Sequence, residues 1–224
     1  MKHAAVREEV VALCVDLSRR GYLAGTGGNV ALRIDAEHFA VTPSATDYLT
    51  MRAQDVSVLR LSDLRQIEGD KLPSVESSLH ARVLRTRRDC ACSVHTHQPV
   101  ASACALLGAP LPVDSAEHRA WLGPQVEVVG YAPSGTAWLA TRLAHALRPD
   151  VNAYLMRNHG VLCCGPDVPA AVQTLAALES LAAAHLRRRI AARAAAETAQ
   201  RVTLLSVLDA LDASIIAKTT AECL

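Results

Sequence analysis

The chain has 224 residues, of which half are hydrophobic, a fifth are charged and 3% are aromatic. This composition is typical of a folded globular protein and argues against a disordered one. The 23 basic and 22 acidic residues leave a formal net charge of +1, which argues against a nucleic-acid partner or a polybasic membrane surface. No apolar run reaches the roughly 18–20 residues of a membrane span, and the N-terminus lacks a secretory signal pattern. We therefore expect a soluble, cytoplasmic protein.

Hydrophobic periodicity predicts alternating strands and helices along the chain. In chain order, these are a helix at 5–20, strands at 30–34, 39–42, 56–61 and 66–68, a helix at 75–88, a strand at 91–97, a helix at 99–107, a strand at 126–131, a helix at 135–147, strands at 151–157 and 161–164, and helices at 169–200 and 204–218. Ser74 is the predicted N-cap of helix 75–88, because a serine hydroxyl there can accept a backbone N–H. The chain has no internal repeat or linker, so we expect one α/β domain over residues 1–224.

The segment Val94–His97, which reads V-H-T-H, gives the strongest indication of chemistry. Because side chains at i and i+2 of a strand point to the same face, both imidazoles should project together. Two such rings suit one divalent cation at ~2.0–2.1 Å. His159, in a tight turn before Gly160, is a third candidate, and three imidazoles leave one coordination position open, as in catalytic zinc sites. The alternative is chance, because an H-x-H pair arises easily among nine histidines.

Glu76 lies in the first turn of the predicted helix 75–88, and His80 follows one turn later on the same face. Beside a metal ion, the Glu76 carboxylate would act as a general acid and base. The alternative is a capping charge, which a helix N-terminus stabilises by ~0.3–1 kcal/mol. The sequence leaves both interpretations open.

The segment Gly25–Asn29, which reads G-T-G-G-N, is too rich in glycine for a regular helix or strand. Glycines allow successive backbone amides to converge on an anion, and Ser74 at a helix N-terminus would form a second wall of a phosphate site. The segment matches neither a P-loop nor the G-x-G-x-x-G pattern. A plain turn is therefore the alternative interpretation.

Five short segments occur in a characteristic order: Gly25–Val30, Thr42–Ser44, Lys71–Glu76, Val94–His97 and Asn158–Val161. Together they resemble the class II aldolase/adducin superfamily, which includes L-fuculose-1-phosphate aldolase and L-ribulose-5-phosphate 4-epimerase. The resemblance implies a three-layer α/β/α sandwich around a mixed, mostly antiparallel sheet. It also implies a homotetramer with active sites between subunits.

The resemblance further implies a role for each matching residue. His95, His97 and His159 correspond to the ligands of Zn²⁺ or another divalent metal, and Glu76 corresponds to the catalytic acidic residue. The residues that correspond to a phosphate cradle are Thr26, Gly27, Asn29, Ser44 and Ser74. The implied function is a zinc-dependent lyase of the aldolase type, which acts on a small hydroxy-ketone, a sugar phosphate, through a metal-stabilised enediolate.

Other functions on the same scaffold remain open. A decarboxylase, an epimerase or a dehydratase would use the same metal-stabilised chemistry. A non-catalytic, adducin-like interaction module is a further alternative, but that branch tends to lose the metal ligands, and all three are present here. The run of three arginines at 187–189 is interpreted as a solvated helix face or a subunit contact.

The chain departs from the aldolase pattern at the substrate end of the site. Ala45 stands where the aldolases have glycine, and Val75 replaces a serine of their phosphate site. The proton-donating tyrosine expected after residue 112 is absent, because residues 113–118 read V-D-S-A-E-H. Either Asp114, Glu117 or His118 supplies the missing proton, or the segment is an ordinary polar loop.

Overall fold

Nine strands form one sheet in the computed structural model, which describes residues 2–222 and, in the last helix, side chains up to residue 213. The strands are β1 (Asn29–Arg33), β2 (His38–Val41), β3 (Ser57–Arg60), β4 (Gln66–Glu68), β5 (Cys92–Thr96), β6 (Leu111–Pro112), β7 (Gln125–Val129), β8 (Ala153–Met156) and β9 (Gly160–Gly165). Their order across the sheet is β4-β3-β2-β1-β5-β9-β8-β7-β6. Every described pair of neighbours is antiparallel except β7 with β8. The expected mixed, mostly antiparallel sheet is confirmed.

Helices cover both faces of this sheet. The α-helices of the described residues are α1 (Ala4–Arg19), α2 (Ser77–Thr86), α3 (Pro99–Leu106), α4 (Ala116–Leu122), α5 (Ala137–Ala146), α6 (Val168–Ala196) and α7 (Arg201–Glu222). Helices α1, α3, α4 and α6 contribute to the core on one face, and α2 and α5 contribute to the core on the other. The architecture is therefore the three-layer α/β/α sandwich that the resemblance implied.

Alternate side chains of β9 pack into the hydrophobic cores on the two opposite faces of the sheet. Val161 and Cys163 pack in the core with α3 and α6, whereas Leu162 and Cys164 pack in the core with α2 and α5. Successive side chains of a strand point to opposite faces, so a strand that is buried on both faces is a continuous apolar run. All six residues of β9 are buried accordingly.

The strand register brings the ends of three strands together. Asn29, at the start of β1, pairs with His95 near the end of β5, and Val161, near the start of β9, pairs with Thr96. Because both pairings are antiparallel, β5 ends where β1 and β9 begin. The glycine-rich loop before β1, the H-x-H pair and the turn before β9 therefore meet at one end of the sheet.

The start of α2 differs from the sequence prediction. Ser74 is not its N-cap; Glu76 occupies that position, without a side-chain capping bond. The Ser74 hydroxyl instead accepts the backbone N–H of Glu76 at 3.2 Å. A β-bridge between Pro43 and Pro73 and a backbone hydrogen bond from Ser74 to Thr42 keep this segment extended. The helix consequently begins two residues later than predicted.

The interpretation of residues 113–118 as a polar loop is corrected as well, because α4 begins within them. The Ser115 hydroxyl caps this helix by accepting the backbone N–H of His118 at 3.2 Å. Leu122 is the one buried residue that α4 has. Its sequence therefore lacks the apolar periodicity by which a helix is recognised.

The last two helices form a hairpin, in which Arg187 of α6 and Asp212 of α7 form an ion pair at 3.0 Å. Part of the basic run is thus a contact between these helices. Within residues 2–222, no helix is long and apolar enough to cross a membrane. A single domain over residues 1–224 stays a prediction, and residues 1, 223 and 224 lie outside the described part of the chain.

We expect Gly123→Ala to destabilise the fold far more than Gly21→Ala. Both glycines have a positive φ, +88° and +73°, so either alanine meets backbone strain of about 1–3 kcal/mol, and the ψ of −166° at Gly123 is in a region almost restricted to glycine. A Cβ at residue 21 would have nothing within 4 Å, whereas one at residue 123 would lie 1.9 Å from the carbonyl oxygen of Asp150. Urea unfolding of both variants in the same buffer measures the difference. Equal losses in the free energy of unfolding would contradict this account.

Candidate metal centre and acid–base site

Three imidazoles meet where β5 ends and β9 begins. His95 is the penultimate residue of β5, His97 follows that strand, and His159 directly precedes β9. The ring centroid of His95 lies 4.6 Å from that of His97 and 4.8 Å from that of His159. One ligand nitrogen from each ring lies within 4.8 Å of the other two. This histidine cluster can hold a metal ion; strand spacing predicted the pair His95 and His97, and the resemblance implied that His159 joins them.

The turn between β8 and β9 presents His159 to the other two rings. Asn158 has a φ of +55°, a left-handed conformation that asparagine adopts more readily than most residues. The backbone N–H of His159 closes this turn with a hydrogen bond of 3.0 Å. Gly160 has no space for a side chain, because a Cβ there would lie 2.5 Å from both His97 Cδ2 and the carbonyl oxygen of Thr96. The N-H-G sequence therefore suits the turn for steric reasons.

A backbone contact fixes which nitrogen of His95 faces the cluster. Nδ1 lies 2.7 Å from the carbonyl oxygen of Val161, and because a carbonyl only accepts hydrogen bonds, Nδ1 carries the hydrogen. Nε2 then presents its lone pair, 3.1 Å from Nε2 of His159. Burial lowers the pKa of His95 to about 3, and burial also lowers the pKa of His97. Both shifts favour the neutral imidazole, which is the form that binds metal ions.

The carboxylate of Glu76 faces this cluster from the N-terminus of α2. Oε1 lies 3.0 Å from Nε2 of His159, and Oε2 lies 3.3 Å from Nε2 of His95. Asn29 donates from Nδ2 to Oε2 at 2.8 Å, and Ser134 donates from Oγ to Oε1 at 2.7 Å. Each carboxylate oxygen therefore has one neutral hydrogen-bond donor and one neighbouring imidazole.

Hydrogen bonding keeps this carboxylate ionised although it is 4% exposed. Burial opposes the negative charge, but the neighbouring rings of His159 and His95 and the hydrogen bonds from Asn29 and Ser134 favour it and hold the pKa of Glu76 well below its usual value. The charge is directed at the histidine cluster, and the side chain makes no capping bond to α2. The geometry thus favours the acid–base interpretation over the capping one.

The glycine-rich loop, predicted to cradle a phosphate, lies against the histidine cluster. A Cβ at Gly27 would be 3.3 Å from Nδ1 of His97, so the loop backbone approaches that ring closely. Asn29 contacts Glu76 directly, and Thr26 is exposed in the same loop. Three of the predicted cradle residues are therefore in or beside the site.

The other two predicted cradle residues, Ser44 and Ser74, belong to segments that run side by side. The backbone N–H of Ser44 bonds to the carbonyl oxygen of Leu72 at 2.9 Å. Ala45 has a φ of +48°, so this loop keeps a left-handed backbone of the kind that glycine adopts without strain. Val75 is 67% exposed. Relative to the aldolase pattern, alanine occupies a left-handed position and one hydroxyl is lost.

The described contacts of Asp114, Glu117 and His118 do not bring them to the histidine cluster. Asp114 lies 4.0 Å from Arg188, and Nε2 of His118 lies 3.4 Å from the hydroxyl of Ser180, both on α6. Glu117 is exposed on α4. These contacts tie the segment to the long helix and give no support to a role as proton donor within one subunit.

Two contacts of the site were not predicted from the sequence. Ser134, in the loop before α5, belongs to none of the matching segments, and its approach to Glu76 depends on tertiary packing alone. His80 lies behind Asn29, with its Nε2 at 2.7 Å from the Asn29 Oδ1. The sequence did indicate that His80 shares a helix face with Glu76, because residues four apart on a helix lie on one side, but it did not indicate the contact with Asn29.

We expect Gly160→Ala to weaken binding of Zn²⁺ or Co²⁺ about tenfold or more, as loss of a group that orients a ligand typically does. The added methyl would displace His97 or the strand end at Thr96. Gly165→Ala is the matched control at the other end of β9, because its Cβ would crowd the backbone nitrogen of Ala171 at 2.6 Å, away from the histidines. Competition with a chromophoric chelator measures both affinities. Similar metal affinities for the two variants would contradict the expectation.

Most of the chain matches a known protein family. Residues 8–186 match the family described as Class II Aldolase and Adducin N-terminal domain. The chain is 35% identical over 166 residues to 5-deoxy-D-ribulose 1-phosphate aldolase of Bacillus thuringiensis serovar kurstaki, which covers 74% of this chain and 76% of that protein. It is 28% identical over 192 residues to methylthioribulose-1-phosphate dehydratase of Yersinia pestis, which covers 81% of this chain and 86% of that protein.

The fold is shared with solved structures as well. An L-fuculose 1-phosphate aldolase superposes with a TM-score of 0.75 at 30% identity, covering 80% of this chain and 84% of that one. The matched residues 8–186 include Glu76 and all three histidines of the cluster. The chain therefore belongs to the class II aldolase and adducin family.

Proposed function

We propose that this chain is a zinc-dependent lyase of the aldolase type, which cleaves a carbon–carbon bond in a small phosphorylated hydroxy-ketone. The observation that carries the proposal is the contact of the Glu76 carboxylate with Nε2 of His95 and of His159, at 3.3 and 3.0 Å. An ionised carboxylate beside three imidazoles combines a proton carrier with a metal site. The relative that is 35% identical is named as an aldolase of a ketose 1-phosphate, which supports the substrate class.

The donor set fits a divalent cation. His95, His97 and His159 would hold the metal through three neutral nitrogens, which leaves a coordination position for substrate oxygens. When bound, such a cation acts as a Lewis acid that stabilises negative charge on those oxygens. Zinc is proposed because of the all-imidazole set, although other divalent metals also bind imidazole.

Glu76 would carry the proton. In an aldol cleavage, a substrate hydroxyl loses its proton, the carbon–carbon bond breaks to release an aldehyde, and the electron pair stays on the ketone fragment, whose carbon is then protonated. The net change moves one proton from oxygen to carbon, so a carboxylate that carries it begins and ends ionised. The low pKa of Glu76 agrees with that resting state, in which Asn29 and Ser134 hold both oxygens in place.

The substrate phosphate is proposed to bind in the loops beside Glu76. The cradle would consist of Thr26, Gly27, Asn29, Ser44 and Ser74, of which Gly27 and Asn29 contact the histidine cluster or its carboxylate. Binding energy from the phosphate then positions the reacting end of the substrate without acting on the bond that breaks.

Dehydration of a phosphorylated ketose is a second candidate function, favoured by the absent tyrosine in residues 113–118. In a dehydration, Glu76 would take a proton from carbon and return it to the departing hydroxyl group, which leaves as water, so no second proton donor is needed. The relative that is 28% identical and is named as a dehydratase supports this alternative.

Assembly and location complete the proposal. A homotetramer with active sites between subunits is predicted from the family resemblance, and the exposed position of His97 is compatible with a neighbouring subunit near the cluster. A cytoplasmic location stays a prediction from the sequence.

We expect Glu76→Gln to lower turnover about 10²–10⁴-fold, the usual contribution of a general acid–base group, while the metal content stays unchanged. His95→Ala should lose both metal and turnover, because it removes a ligand. Metal analysis of protein purified without chelator, combined with assays on ketose 1-phosphates, separates the two effects.

Glu8→Gln, at an exposed position of α1, is the control for the loss of one negative charge and should leave both quantities unchanged. Release of an aldehyde identifies cleavage, whereas loss of water without an aldehyde supports the dehydratase alternative. Full turnover by metal-free protein would overturn the proposal.

We also expect Ser44→Ala to raise the KM for a phosphorylated ketose roughly tenfold, because one hydrogen bond to a charged group contributes about 1.5–3 kcal/mol. The kcat/KM for the same ketose without phosphate should not change. Ser62→Ala, at an exposed serine after β3, serves as the control. An equal effect of Ser44→Ala on both substrates would place the phosphate elsewhere.

A further inference from the structure

His80 of α2 is 0% exposed, and both of its ring nitrogens have hydrogen-bond partners. Nε2 lies 2.7 Å from Oδ1 of Asn29, and Nδ1 lies 2.8 Å from Oγ of Ser93 on β5. The function proposed above gives this ring no role, since it is neither one of the three metal-binding histidines nor part of the phosphate cradle. Nevertheless, it touches the residue that holds Glu76.

The direction of each hydrogen bond follows from the carboxylate. Glu76 can only accept, so Asn29 must offer its Nδ2 to Glu76 and turn its Oδ1 toward His80. An amide oxygen only accepts, so Nε2 of His80 carries the hydrogen. Burial lowers the pKa of His80 to about 4, and the neutral ring then accepts at Nδ1 from the Ser93 hydroxyl. One tautomer of His80 and one orientation of Asn29 satisfy the whole chain.

This chain prevents the Asn29 amide from turning over. A flipped amide would place its oxygen against Oε2 of Glu76, so that hydrogen bond would be replaced by repulsion, and its NH₂ group would face the Nε2–H of His80 unless the ring moved its hydrogen to Nδ1. The correct orientation also leaves the second hydrogen of the Asn29 Nδ2 for a ligand. Without His80, one side of the amide would lose its buried partner.

We propose that His80 is a positioning residue of this site: through Asn29 it holds Oε2 of Glu76 in the orientation that proton transfer requires. The proposal rests on the proposed lyase or dehydratase function. It differs from a packing role, in which His80 would only fill space between α2 and the strands β1 and β5. In a positioning role, activity depends on the hydrogen bond that Nε2–H of His80 donates to Asn29, and a side chain that only fills the same volume does not restore it.

Two polar substitutions separate these roles. The amide nitrogen of glutamine can take the place of Nε2, whereas the shorter asparagine side chain reaches only the place of Nδ1. We expect His80→Asn to lower kcat about 10–100-fold, the range for partners that orient a functional group, with unchanged metal content. His80→Gln should keep most of kcat, and His145→Gln, at an exposed histidine of α5, should match the wild type. Equal losses for His80→Asn and His80→Gln would overturn the proposal.

A double-substitution cycle tests the route through Asn29. If His80 acts through that residue, His80→Asn should lower kcat little further once Asn29→Ala is present, because coupled residues are not additive. Independent, multiplying losses in kcat would contradict a positioning role and support packing alone.

A measurement on the wild-type protein requires no variant to fold. Long-range ¹H–¹⁵N correlation spectra should show His80 neutral and protonated at Nε2; protonation at Nδ1 would overturn the proposal. This readout does not depend on catalysis. Unchanged turnover in Glu76→Gln together with the expected tautomer would defeat the proposed function while leaving the hydrogen-bond chain intact, so the two failures are distinguishable.

Discussion

Burial of the Glu76 carboxylate is the constraint on which this site depends. An ionised group that is 4% exposed is tolerated only where hydrogen-bond donors replace the lost water. Those donors come from separate parts of the chain: Asn29 at the start of β1 and Ser134 before α5. Satisfying one carboxylate thus ties these two segments to the N-terminus of α2, beside the imidazoles of His95 and His159.

How much of the site the sequence predicts depends on how local each relation is. His95 and His97 point to the same face of the sheet because strand side chains alternate, and the four-residue segment Val94–His97 is enough to predict this. The approach of His159 to His95 requires the pairing of β5 with β9, which spacing alone does not determine, so the turn made His159 only a candidate and the resemblance gave it a role. Ser134 has no local signal at all. The seven-residue α4 was not predicted either, because a helix with a single buried side chain shows no apolar periodicity.

The two ends of the site differ in how far they keep the aldolase pattern. The carboxylate and all three imidazoles are present and in contact, whereas the loops proposed to bind phosphate have lost a hydroxyl at Val75. Ala45 has a φ of +48°, a conformation that glycine would adopt without strain. Under the proposed function, such a division fits a scaffold on which the substrate contacts vary more than the metal and proton chemistry.

A neutral chain behind Glu76 suits this chemistry better than a charged partner would. A cation in the place of His80 would offset the negative charge on which the proposed metal binding and proton transfer depend. Because His80 is neutral, the hydrogens of Ser93, His80 and Asn29 all point along one direction toward the carboxylate. Their dipoles therefore reinforce one another. The chain orients and stabilises Glu76 without neutralising it, which explains why a fully buried histidine is compatible with an ionised neighbour.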